Sequence, residues 1–274
     1  MLMLRRQGGF TLMEVMITLA VSGAMLMITV ALFSGQQRES QFNQSMRDIE
    51  SKLQDVINDT ATGYFPESTL SCSANANIPI ISSSGPGSEQ GTNSACVFLG
   101  KAIHFKDNAM DIYSIIGSSS LSNTTFQSAN PTLVSEIKET KEYIWGINLY
   151  QIWWGDNIAS HLDDGRLVVV SSSPNGTGYS ASGSSLNSGV QQINTYSSGT
   201  VAGTGIDQNS PLPTMDSAIK NASLGWPANG TITLCFQDDQ LGQSGRQYGG
   251  ILLSGGNYGI YARLLTDTDP VGCN

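Results

Sequence analysis

The chain of 274 residues reads as an α+β protein, a long N-terminal α-helix packed on an antiparallel β-sheet head that carries disulfides. Three observations predict this. A helical pattern runs from Phe10 to Thr62 with no proline in it, the segments beyond are short β-like runs separated by Ser, Gly, Asn and Thr, and all four cysteines follow the helix.

The first element is a leader, residues 1–9, carrying Arg5 and Arg6 and ending in Gly8-Gly9. A run of 24 mostly apolar residues follows, 10–33, with a single charge, Glu14. As a helix this run spans about 36 Å, enough for a hydrocarbon core of about 30 Å. The basic leader keeps the amino end in the cytoplasm, so the reading is a single-pass membrane protein with its head outside. A lone carboxylate in such a run costs at least about 2.5 kcal/mol unless it is neutralised, so Glu14 marks function before structure. An ordinary secretory signal is excluded, because its small-residue cleavage site follows the apolar stretch and here the glycines precede it. A twin-arginine signal would share Arg5-Arg6 but not the Gln-Gly-Gly-Phe-Thr that comes next. A plain anchor explains neither Glu14 nor Gly8-Gly9.

Gly9-Phe10-Thr11-Leu12-Met13-Glu14, with its basic flank and apolar run, resembles the class III signal of type IV pilins and type II secretion pseudopilins. The resemblance covers roughly the first 60 residues. It implies that a prepilin peptidase cuts after Gly9 and methylates the new amino terminus at Phe10. It also implies that Glu14 pairs with the terminal amine of a neighbouring pilin or pseudopilin subunit during assembly on an inner-membrane platform, within membrane lipid. Many type IV pilins carry a helix-kinking proline where this chain has Ala31.

Residues 34–63 continue the helix in amphipathic form. Phe42, Met46, Ile49, Leu53, Val56 and Ile57 recur at three and four, and Arg38, Glu39, Arg47, Asp48, Glu50, Lys52 and Asp55 occupy the other faces. Gly63 is the expected left-handed stop. Residues 64–274 form the extracytoplasmic head, long enough for one sizeable core. Its candidate strands are Cys96–Phe105, Asp111–Ile116, Tyr143–Trp154, Arg166–Ser171, Thr231–Gln237, Tyr248–Ser254 and Tyr258–Leu265. Ser82–Ala95 and Ser171–Ser210 read as loops, the latter a Ser/Gly-rich tract serving as an exposed contact or a mobile insertion.

Cys72, Cys96, Cys235 and Cys273 allow three pairings, which spacing alone does not decide. Local pairing, Cys72 with Cys96 and Cys235 with Cys273, is the expectation, each bridge contributing about 3 to 4 kcal/mol in an oxidising compartment. The second pair also resembles the disulfide loop of many pilins. No Cys-x-x-Cys unit argues for zinc.

The formal charge is −9; removing Arg5 and Arg6 leaves 11 basic against 22 acidic residues, −11. Such a surface repels phosphate backbones, so broad nucleic-acid binding is not expected. No cofactor is expected. Calcium is the one ion the acids could hold, at Asp163-Asp164, Asp238-Asp239 or Asp267-Thr268-Asp269, but no complete ligand loop is present and solvated turn aspartates fit better. The two histidines have no catalytic motif around them: His104 reads as a strand residue and His161 as part of a polar loop. Trp145, Tyr150, Trp153 and Trp154 form a core or interface cluster, with a sugar platform as the functional alternative. The chain is therefore read as no enzyme.

The reading is a minor pilin or pseudopilin of a type IV pilus or type II secretion-like filament, reaching the cell surface once assembled. At 265 residues after removal of 9 it is larger than most major pilins. The alternative is a membrane-tethered extracytoplasmic binding or adhesion module that enters no filament.

Overall fold

The computed structural model describes residues 11–63, 71–75, 78–82, 96–118, 129–154, 161–162, 166–172, 191–196, 206–220, 231–238, 247–256, 259–265 and 273. Helix α1 (Leu12–Thr62) runs 51 residues without a break. Gly63 ends it at φ 67°, and its amide donates to the Thr60 carbonyl at 3.4 Å. That conformation strains any residue with a Cβ, which is why glycine stops the helix here. The chain divides inside α1 into two compact units, Met1–Gln44 and Ser45–Asn274.

In the second unit α1 is followed by the hairpin β1 (Ser71–Asn75) and β2 (Ile78–Ser82), then β3 (Cys96–Phe105), β4 (Ala109–Ser118), β5 (Thr132–Glu142), β6 (Ile147–Trp154), β7 (His161–Leu162), β8 (Leu167–Ser172) and β9 (Gln191–Tyr196). Helix α2 (Leu212–Lys220) precedes β10 (Thr231–Asp238), β11 (Tyr248–Gly256) and β12 (Gly259–Leu264). Two five-stranded sheets result, ordered β5-β4-β3-β8-β9 and β12-β11-β10-β6-β7, where the sequence had suggested one. All pairings are antiparallel, as expected.

The β3 sheet is covered on both faces. Met46, Ile49, Leu53, Val56 and Ile57 of α1 are buried at the helical spacing read from sequence. Lys101 of β3, its side chain only 3% exposed, reaches Asp59 of α1 at 2.6 Å and ties the helix to that face. On the opposite face Ala102, Tyr113, Leu167 and Val169 pack with Met215 and Ile219 of α2. Helix α1 also closes an open sheet edge. Glu50 Oε1 accepts the Leu264 amide at 3.2 Å, and Gln54 Oε1 accepts the Ala262 amide at 3.1 Å. One helical turn apart, the two side chains match alternate residues of β12 and cover donors that would otherwise invite a foreign strand.

Several expectations need correction. Helix α2 was not foreseen; Pro211 precedes it and Pro213 lies in its first turn, where proline is tolerated because its missing N–H has no partner to lose. The Ser171–Ser210 tract is not wholly loop, since β9 lies within it and pairs with β8. Strand β5 was missed because its five charged residues mask the buried Leu133, Val134 and Ile137, a charged composition usual for an edge strand. The run Tyr143–Trp154 is interrupted before β6, where Trp145 and Gly146 turn at φ 55° and 68°. His161 lies in β7 opposite Trp153, not in a loop.

Cys235 is bonded to Cys273 with Cα atoms 5.4 Å apart. Gly250 lies opposite Cys235 in β11, and a Cβ there would come within 2.8 Å of Cys273 Sγ and 2.1 Å of Leu265 Cδ1. The bridge and Leu265 therefore occupy the space a side chain would need. Cys96 is also disulfide-bonded. The side chain of its expected partner, Cys72, lies outside the described residues.

Candidate functional site

Thr11 stands immediately before α1 and caps it. Its hydroxyl accepts the Glu14 amide at 3.3 Å, while Glu14 Oε2 accepts the Thr11 amide at 3.5 Å. This reciprocal arrangement satisfies two of the four amides that a helix start leaves unpaired, and it holds an acid at the positive end of the helix dipole. Both partners are neutral groups, so the net charge of Glu14 is left over.

The rest of the apolar run settles its own polarity. Thr18 Oγ1 donates to the Glu14 and Val15 carbonyls at 3.0 and 2.9 Å, Ser22 Oγ to Thr18 at 2.7 Å, and Thr29 Oγ1 to Met25 at 2.7 Å. Hydroxyls bonded back into their own helix lose little in hydrocarbon. Leu12–Val30 has mean hydropathy 1.9 and none of it is buried within the protein. It is thus a helix of membrane-crossing length and composition in which Glu14 is the one charged residue. Gly9 and Phe10, the expected processing residues, lie outside the described residues.

A second polar site lies in the β3 sheet, where register builds it. Leu167, His104, Asp111 and Thr140 form one row across β8, β3, β4 and β5. At its centre Asp111 is buried and accepts from Thr140 Oγ1 at 2.6 Å, from Lys106 at 2.7 Å and from Lys138 at 3.4 Å. Burial opposes ionisation of Asp111, yet the hydrogen bonds from Lys106 and Thr140 and the charges of both lysines outweigh it and hold the carboxyl below its ordinary value. His104 is 1% exposed, and its Nε2 lies 2.7 Å from the Asp207 carbonyl, which can only accept. Burial is the main cause keeping its pKa below 6.5, so the ring is neutral near neutral pH. Above the row opens a cavity of about 260 Å³ lined by His104, Lys106, Asp111, Tyr113, Gln208, Asn209 and Ser210. The Asp207–Ser210 turn that roofs it is closed on itself by the Asp207 carboxylate, which accepts from the Asn209 amide and Ser210 Oγ, both at 2.9 Å.

The other sequence candidates are not gathered here. Among the described residues no group of three His, Cys, Asp or Glu could hold a metal. Asp238 is buried, and Asp163, Asp164, Asp239, Asp267 and Asp269 lie outside the described residues. Of the aromatic group, Trp145 is 43% exposed on its turn, and Tyr150 packs edge-on against Tyr248 with ring centroids 5.6 Å apart. The side chains of Trp153 and Trp154 lie outside the described residues. The cavity itself was missed: the sequence flags His104, but only strand register sets it beside Asp111.

Residues 4–30 match the family described as the prokaryotic N-terminal methylation motif, the prepilin-type signal of type IV pilins and pseudopilins. Comparisons with curated proteins and with solved structures return no match. The motif implies processing by a prepilin peptidase and assembly with other pilin subunits, in a family of structural subunits. The matched residues include Leu12–Val30, an apolar helix of membrane-crossing length.

Proposed function

We propose that the chain is a minor pilin or pseudopilin, cut after Gly9, methylated at Phe10 and built into a type IV pilus or type II secretion-like filament through α1. The observation that carries this reading is Glu14, the one charge in an exposed apolar helix that follows a prepilin-type signal. Cleavage creates a cationic amine at Phe10, and an amine of this kind on a neighbouring subunit is the counter-charge the site lacks. A disulfide in the head suits an oxidising, extracytoplasmic compartment, and the inner-membrane platform and surrounding lipid are the further partners this reading requires. The size of the mature chain, 274 less 9 residues, supports a minor rather than a major subunit.

Mass spectrometry of the mature protein should find an N-methylated Phe10 terminus. Glu14→Gln keeps the size and removes the charge; it should be inserted and cleaved as wild type yet be missing from sheared filament fractions. An intact Met1, or a start beyond Ala24, would sink the processing step. Wild-type recovery of the Gln variant in filaments would sink the charge pairing. The second reading, a tethered binding module outside any filament, draws on the polar cavity of the head and predicts membrane foci with no filament signal.

A further inference from the structure

The head contains a polar cavity that the filament reading does not use. We propose that it is a binding site for a neutral, hydroxyl-rich ligand about the size of one sugar ring. The charges around it cancel: Lys106 and Lys138 face Asp111, with Asp207 beside His104. A charged ligand would upset a balanced, partly buried set of ion pairs, whereas a neutral one leaves it intact.

The hydrogen-bonding groups suit hydroxyls, each of which donates once and accepts twice. Lys106 keeps ammonium protons beyond the one given to Asp111. With Nε2 donating to the Asp207 carbonyl, the neutral His104 ring leaves Nδ1 as an acceptor. Tyr113 brings a mostly buried ring and a phenol pushed up to about 12, by burial and then by the charge of Asp111, so it donates throughout the physiological range. The side-chain amides of Gln208 and Asn209, on the rim, both donate and accept. The depression opens to solvent, and its volume of about 260 Å³, just under the usual range for drug-sized ligands, has room for about one sugar ring. The floor is rigid: it is the paired strands β3 and β4, with Asp111 held by Thr140 of β5, so little ordering is left for the ligand to impose.

The site is independent of filament assembly, and the test keeps the two apart. Full-length protein in a zwitterionic detergent free of sugar is probed by saturation-transfer NMR with glucose, galactose, mannose and N-acetylglucosamine, each against the anions gluconate and glucuronate. At least one neutral sugar should receive saturation. Tyr113→Phe, which keeps the ring, and Asn209→Ala, on the exposed turn, should each weaken its binding about three- to ten-fold, the effect of one lost hydrogen bond. Glu14→Gln should bind as wild type, so that loss of assembly and loss of binding are separately visible. Transfer to no neutral sugar, binding of the anions alone, or full affinity in both cavity variants would overturn the proposal.

Discussion

The two halves of α1 share one unbroken helix and opposite surroundings. Between Leu12 and Val30 every residue is exposed, Leu19 at 67% and Met27 at 76%; between Ser45 and Thr62 the apolar stripe is buried, Ile49 at 0% and Leu53 at 1%. Backbone geometry is common to both, so the difference lies in what each half has available to pack against. The later half has a stripe, and the strands of its own chain cover it, with charged and polar side chains bonded to β3, β5 and β12. The earlier half is apolar all round, as a helix needs to be when lipid or other subunits surround it. If the two halves are separate in this way, a lesion in one should be silent in the assay of the other.

The largest effect is expected from the head's covalent closure. The Cys235–Cys273 bridge spans 38 residues, and opening a loop of that size costs about 4 kcal/mol. Cys235→Ser with Cys273→Ser should lower the head's melting temperature by about 8 to 16 °C, at about 2 to 4 °C per kcal/mol for a domain of this size. Cleavage after Gly9 should be unchanged. Non-reducing peptide mapping of wild type should link Cys235 to Cys273 and Cys72 to Cys96. Processing that fails together with the head would mean the two regions are not separate.

What the sequence made legible follows the same division. The signal Gly9-Phe10 to Glu14, the buried stripe of α1 and the stop at Gly63 are local patterns, and local patterns are what periodicity and residue chemistry report. Strand β3 was bounded at both ends for the same reason, since its apolar run stands between turn residues. Strand β5 and helix α2 were illegible because charges mask the one and prolines open the other, while the contact that joins them is non-local: the Leu133 amide donates to Asp216 Oδ1 at 2.9 Å across 83 residues. Two sheets in place of one, and the row His104–Asp111–Thr140, are matters of pairing, which periodicity does not encode. The Gly250 contact with the disulfide was hidden likewise, because a glycine in a strand looks like a bulge or a weakness until its neighbour is known.

A mid-sized effect probes the helix itself. Leu53→Ala empties a fully buried site and should destabilise the head by about 3 kcal/mol, read as a lower denaturation midpoint at unchanged slope. Leu19→Ala removes the same atoms from an exposed position and should leave that midpoint where it is. Equal losses from the two substitutions would show that the apolar half already has a partner within the chain.

The smallest effect is a pH dependence confined to the head. His104 has its pKa lowered in the folded protein, mainly by burial, so below 6.5 the unfolded chain takes up a proton more readily than the folded one. The stability tied to this residue is therefore fully present above pH 6.5 and is lost as pH falls from 6.5 through the lower folded value. Lys106, Asp111 and Asp207 are the charged groups around the ring, and their charges enter as smaller contributions of both signs. Asp111 acts in a separate window: its lowered pKa gives stability that persists above 3.8 and fades only in stronger acid. Chemical denaturation at pH 7.5 and pH 5 should show wild type weaker at the lower value, and His104→Gln, which does not titrate, should narrow that difference. A Gln variant with the wild-type pH slope would assign the loss elsewhere and would remove His104 from the account of the head's stability.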